Sequence, residues 1–312
     1  MKYIPYNVKR KLFAFASEGY SVIEMKILKK CLILLISAVF MLFCVSCGNN
    51  PDNNSGKKII AVTIVPQATF VKAVCGDSFE IVTLIPPGGS PESYEPSPMV
   101  IRKFEKAEIF FRIGVPAENT GSVADIPEKV KVVSLQEEVS KTYPELLFEE
   151  GERDHHIWLS PKRVKIMIDV ILRELSIIDP ENAEIYNKNA QNYKNQLDVL
   201  DNEIKDIFKD IENPKFIAYH PAFGYFADEY DITMYALEEE GKEVTISRLK
   251  EMADLAKEEK IKVVFYQEET DSLRAKAFAE EIGGKAVMLS PLSGNYIDNL
   301  KTMAEKIAES MR

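Results

Sequence analysis

Two of the three histidines in this 312-residue chain are adjacent: His155 and His156, in RDHHIWLSP (153–161), two residues before the only tryptophan, Trp158. The third, His220, closes the run KFIAYH (215–220). Carboxylates stand at comparable places: Glu92 and Glu95 in the turn PPGGSPESYEP, and Glu268 and Glu269 directly after IKVVFYQ (261–267). Neutral imidazole nitrogen together with carboxylate oxygen is a donor set for zinc, manganese or iron. A single histidine at a strand end is also a common hydrogen-bonded structural residue, so the argument rests on four separate connections converging. Successive side chains on an extended backbone face opposite ways, which allows one member of the His155–His156 pair into a site and turns the other to solvent or behind it.

Convergence requires a scaffold, and the sequence alternates short apolar runs with amphipathic stretches. KKIIAVTIV (57–65), FEIVTLI (79–85), EIFFRIG (108–114) and VKVVSL (130–135) read as strands, with helices at QATFVKAVCG and SPMVIRKFEKA. The pattern restarts after residue 213. KFIAYH, DITMYAL, IKVVFYQ and KAVMLS read as strands, separated by the helical stretches FGYFADEY, TISRLKEMADLAKEEK and LRAKAFAEEIGG, and NYIDNLKTMAEKIAESM ends the chain. Such alternation predicts parallel sheets covered by helices, in two lobes, with ligands beyond the carboxyl ends of the strands. Between the halves, Tyr186, Ala190, Tyr193, Leu197, Leu200, Ile204, Ile207 and Ile211 recur every three or four residues, one apolar stripe on a helix opened by Pro180 and bounded by Pro214. About thirty residues at 1.5 Å each give roughly 45 Å. A coiled-coil dimer would share this spacing. A single helix laid along both lobes of a monomer is the expectation, because the stretch lies between them and covers little more than four heptads. The predicted division is 58–180 for the first α/β lobe, 181–212 for a rigid linking helix and 213–312 for the second lobe, with the metal site between them.

Phosphate-binding glycine loops are absent, and Gly283-Gly284 reads as a helix end. From Met25, three lysines precede about fifteen apolar residues and Ser46-Cys47, the anatomy of a signal peptide and short for a membrane span of roughly 20 residues. Residues 1–24 fit neither segment and read as a mis-called extension, 25–46 as the signal, and 47–57 as a modified Cys47 with a polar tether. Removal of Cys31 and Cys44 leaves Cys75, a small core residue, and no partner for an intrachain disulfide. Residues 1–47 hold 7 of the 39 Lys/Arg and 2 of the 49 Asp/Glu, which leaves 32 against 47 and a formal charge of −15 on the remainder. That charge argues against nucleic acid as a partner and suits a cationic ligand.

Four ordered motifs resemble the metal-binding lipoproteins of bacterial zinc/manganese ABC importers, the zinc-uptake and TroA-like proteins, over about residues 58–312. SPESYEPSP (90–98) is similar to the family's Asp-Pro-His-x-Tyr-Glu-Pro, and DHHIWLSP (154–161) to Asp-x-His-x-Trp-Leu-x-Pro. YHPAFGYFADEY (219–230) and the tail FYQEETDSLRAKAFAEEIGGKAVMLSPL match in order and spacing. The resemblance implies a lipoprotein anchored through Cys47 outside the cell membrane. It would bind Zn2+ (or Mn2+) as cargo through Glu92, His156 and His220 and deliver it to a permease with its ATPase, without turnover and with little hinge motion. His155 takes a slot that is commonly proline. Glu92 stands where histidine is usual, and Ser290 where many relatives have an aspartate, so Gln267 or Glu268 becomes a candidate fourth donor. Two other functions share these residues: a two-histidine, one-carboxylate metalloenzyme, and a lipoprotein that binds an organic ligand, or an adhesin with incidental metal, using Tyr94, Trp158, Phe223 and Tyr225 as pocket walls.

Overall fold

A computed structural model describes residues 56–148, 151–238, 244–269 and 272–312. The expected extension, signal peptide and Cys47 tether therefore lie outside the described residues, apart from 56 and 57. The first lobe runs β1 (Ile59–Val62), α1 (Val65–Cys75), β2 (Glu80–Thr83), α2 (Pro98–Phe104), β3 (Ile109–Arg112), α3 (Gly121–Ala124), β4 (Lys131–Ser134) and α4 (Leu135–Ser140). Two long helices follow, α5 (Pro161–Ile178) and α6 (Ala183–Phe208). The second lobe comprises β5 (Lys215–Ala218), α7 (Gly224–Glu229), β6 (Thr233–Ala236), α8 (Ile246–Glu258), β7 (Val263–Gln267), α9 (Ser272–Glu281), β8 (Lys285–Leu289) and α10 (Tyr296–Glu309). Both sheets are wholly parallel and share one topology, β2-β1-β3-β4 and β6-β5-β7-β8. The connections leave in opposite directions between β1 and β3, and again between β5 and β7. Each lobe therefore has its own crevice at the carboxyl ends of its central strands.

The strands are shorter than their apolar runs. β1 stops at Val62 because Pro66 sets up a helix start at Val65, and the Gln67 side chain folds back to accept from the amides of Thr63 and Ile64 at 3.0 Å each. One helix escapes the strand-and-helix reading of the sequence: α5, capped by Ser160, whose Oγ accepts from the Arg163 amide at 3.3 Å. Val164, Met167, Ile168, Ile171 and Leu175 bury its apolar face. The stripe on α6 also differs at its end. Phe208, not Ile207 or Ile211, is buried, because the fourth residue after Ile204 falls on the core side of a 3.6-residue period and the helix ends there.

α6 packs against α1 and α5 on the first-lobe side and α10 on the second. Its 26 residues span roughly 39 Å. One continuous apolar core runs across both lobes, from Ile60, Phe110 and Trp158 through Leu197 and Ile204 to Phe216, Phe265 and Ile307; a second cluster around Ile217, Val264 and Phe278 fills the outer side of the second lobe. Lobes that share a core resist opening about a hinge. Cys75 is buried, and burial pushes its thiol up to about 11, consistent with a core residue. No described helix is long and apolar enough to cross a membrane.

The crevice of the first sheet is closed by its own side chains. Glu118, 2% exposed, accepts from the Thr63 hydroxyl, from the amides of Ile113 at 2.7 Å and Gly114 at 2.9 Å, and from Arg112 Nε at 3.1 Å. Gly114 has φ +92, and a Cβ there would stand 2.9 Å from the Gln136 side chain.

Candidate metal centre

His220 sits two residues beyond β5, at the crevice of the second sheet. Glu92 comes from the β2–α2 connection, and His156 from the segment that enters α5 through a short 3-10 turn, Ile157–Leu159. These three residues bring one donor atom each to within 4.8 Å of one another, the only such group of three or more histidine, cysteine or acidic residues among the described residues. His220 Nε2 lies 2.8 Å from Glu92 Oε1 and 3.4 Å from His156 Nε2. Both imidazoles are buried, and Glu92 keeps a third of its side chain exposed.

The opposite nitrogens explain the aim of the rings. His156 Nδ1 lies 2.8 Å from Asp154 Oδ1, which also accepts from the His156 amide at 2.8 Å. His220 Nδ1 lies 2.8 Å from Glu238 Oε1. A carboxylate on Nδ1 fixes ring orientation and tautomer, and leaves Nε2 to ligate. Neither Asp154 nor Glu238 was singled out from the sequence. Asp154 carries a local signal, an acid two residues before a histidine. Glu238 carries none, because it follows the neighbouring strand β6, and only pairing of β5 with β6 brings it near.

Asp154 is wedged between the lobes. A Cβ on Gly224, the first residue of α7, would stand 2.3 Å from Asp154 Oδ2, so a side chain there would have to displace the carboxylate. Trp158 spans the same seam: its Nε1 donates to the Pro291 carbonyl at 3.0 Å, its own carbonyl accepts from Tyr296 Oη at 2.7 Å, and its ring lies 5.2 Å from that of His156. Trp158 is thus a packed wall. Below it, Ser160 Oγ donates to Glu229 at 2.6 Å, and Glu229 also pairs with Lys162 at 3.0 Å and Arg163 at 3.6 Å.

The carboxylates and imidazoles are electrostatically coupled. Burial works against a charged ring at His220, yet hydrogen bonds and charge from Glu238 and Glu92 outweigh it and push His220 up to about 9. Burial alone would raise Glu92, but the His220 hydrogen bond and the surrounding imidazoles hold it below the usual carboxylate range. A proton on His220 Nε2 therefore lies where the three donors meet.

The three residues line a cavity of about 260 Å3 with His155, Glu152, Pro91 and Phe148 among its other walls. His155 is half-buried and borders this cavity instead of facing away. Burial and the neighbouring His156 hold it below the usual histidine range. The alternation expected of a strand does not hold here, because 154–156 are not in a strand and both rings border the same cavity. Gln267, Glu268 and Ser290 are not among the residues that line the cavity. Ser290 instead offers its carbonyl to Asn299 at 2.8 Å. Glu95 likewise stays apart, against Gly121.

Known proteins are similar to this chain in sequence and fold. The zinc-binding lipoprotein AdcA of Streptococcus pneumoniae serotype 4 is 30% identical over 278 residues, which cover 83% of this chain and 54% of AdcA, so the chain spans about half that relative's length. The manganese ABC transporter substrate-binding lipoprotein PsaA of Streptococcus mitis is 28% identical over 272 residues, 82% of this chain and 87% of PsaA. A crystal structure of ZnuA superposes with a TM-score of 0.76 at 31% identity, covering 82% of this chain and all of that one. The model of the family described as zinc-uptake complex component A, periplasmic, matches residues 60–310, and the chain belongs to that family.

Proposed function

We propose that the protein is an extracytoplasmic substrate-binding lipoprotein that captures a divalent transition metal at Glu92, His156 and His220 and delivers it to the permease and ATPase of an ABC importer. The observation that carries this reading is the convergence of two imidazole Nε2 atoms and one carboxylate, each ring backed by its own carboxylate on Nδ1. Zinc is the favoured cargo over manganese, since nitrogen donors outnumber oxygen and manganese sites lean to carboxylate and water. In this reading the chain is processed after residue 46, held at the membrane by lipid on Cys47 and tethered through 47–57. It acts as a monomer, with lobes 58–180 and 213–312 braced by the helix in 181–212. The family supports transport of a bound ion rather than turnover of a substrate.

A cavity of about 260 Å3 with five donor-bearing side chains suits an ion and its waters better than a drug-sized organic molecule, for which about 300–1,000 Å3 is usual. Equilibrium dialysis of the purified full chain against zinc and manganese tests the proposal. One metal per chain is expected, with zinc held more tightly. Unchanged affinity in both His156→Ala and His220→Ala would overturn it.

A further inference from the structure

We infer that His155 supplies the fourth donor to the bound cation, so that the site closes as three imidazoles and one carboxylate; this rests on the metal-binding reading above. Zinc takes four ligands in closed protein sites, and Glu92, His156 and His220 provide three. Among the described residues, only two further side chains lining the cavity carry a metal donor, Glu152 and His155. Glu152 is exposed, on a short turn where its carbonyl accepts from the Phe148 amide at 2.8 Å. His155 is half-buried, and its Nδ1 is shut off from solvent with no hydrogen-bond partner. Buried polar atoms are almost always paired, and the unpartnered Nδ1 of a side chain that borders the cavity would gain its partner in a bound cation.

The ring is also untethered at Nδ1. His156 and His220 are each held through Nδ1 by a carboxylate, whereas no hydrogen bond through Nδ1 holds His155. His155 lies outside the group whose donor atoms meet within 4.8 Å, so ligation requires its side chain to rotate inward, and that rotation breaks nothing at Nδ1. Both neighbouring rings already border one cavity. A third imidazole in place of water or a carboxylate shifts preference toward zinc and away from manganese.

Zinc X-ray absorption on the purified full chain counts the imidazoles directly. Three are expected, falling to two in His155→Phe, which keeps a ring but no donor. Zinc binding by that variant should weaken at least about tenfold, the lower end of what loss of outer partners costs metal sites. Two imidazoles in the unaltered chain overturn the assignment, whether or not the variant folds, as does an unchanged affinity in a folded His155→Phe. An unaltered chain that retains no zinc overturns the underlying metal-binding reading instead.

Discussion

The two sheets have the same strand order and the same crevice, and they use it oppositely. In the first lobe, Glu118 enters the crevice and takes four donors from Thr63, Arg112, Ile113 and Gly114, so every oxygen lone pair is spent inside the lobe. In the second, His220 spends only Nδ1 on its own lobe, through Glu238, and turns Nε2 toward Glu92 and His156 across the seam. A polar group satisfied from within makes a plug, and one satisfied halfway makes half of a site. The difference lies in a few side chains, because the backbone topology is shared.

Breaking the plug should cost the most. Glu118→Ala leaves Arg112 Nε and the buried amides of Ile113 and Gly114 without their acceptor, and about 3 kcal/mol of unfolding free energy should be lost, read by denaturant titration of the metal-free protein. Zinc affinity of the folded fraction should stay near that of the unaltered chain, since Glu118 does not line the site's cavity. Breaking the half-site should do the reverse. His220→Ala is expected to weaken zinc binding by about 100-fold or more in competition titrations, beyond the 10–100-fold typical of losing an outer partner.

Smaller losses should follow from the groups that aim the rings. Asp154→Ala releases His156 and should weaken zinc binding by about 10–100-fold. Gly224→Ala pushes on Asp154 Oδ2 and should reproduce a fraction of that loss, on the order of tenfold. An unchanged affinity in Gly224→Ala would mean that Asp154 can retreat without releasing His156.

The gentlest test is pH. His220 is raised from 6.5 to about 9, so the metal-free protein carries its stabilising proton fully below pH 6.5 and loses that contribution as pH rises toward 9. Metal must displace the same proton, so zinc affinity should rise over this window by up to about tenfold per pH unit. Melting temperatures of the metal-free chain and zinc titrations between pH 6 and 9 should therefore move in opposite directions.

Much of this was legible in the residues. Short apolar runs between amphipathic stretches, and one stripe of period 3.6, announced two α/β halves and a long helix, because burial on both faces of a strand and on one face of a helix marks the sequence directly. Helix α5 also carries a local start signal, Ser160-Pro161, at the end of the DHHIWLSP motif. The three converging residues were legible through their motifs. Asp154 was visible in the same motif but without a role, and Glu238 was invisible, because strand pairing alone makes it a neighbour of His220.

The sequence by itself determined the donor types, the strand end that carries His220 and the acidic balance around the site, all of which are local or compositional properties. Tertiary structure alone decided which donors meet. It brought residues 92, 156 and 220 together across two lobes, backed each imidazole with a carboxylate, kept Gln267, Glu268 and Ser290 off the cavity wall, and turned His155 toward it. The reason is geometric: a metal reads distances of a few ångströms between atoms, and those distances are fixed by packing between elements far apart in the chain.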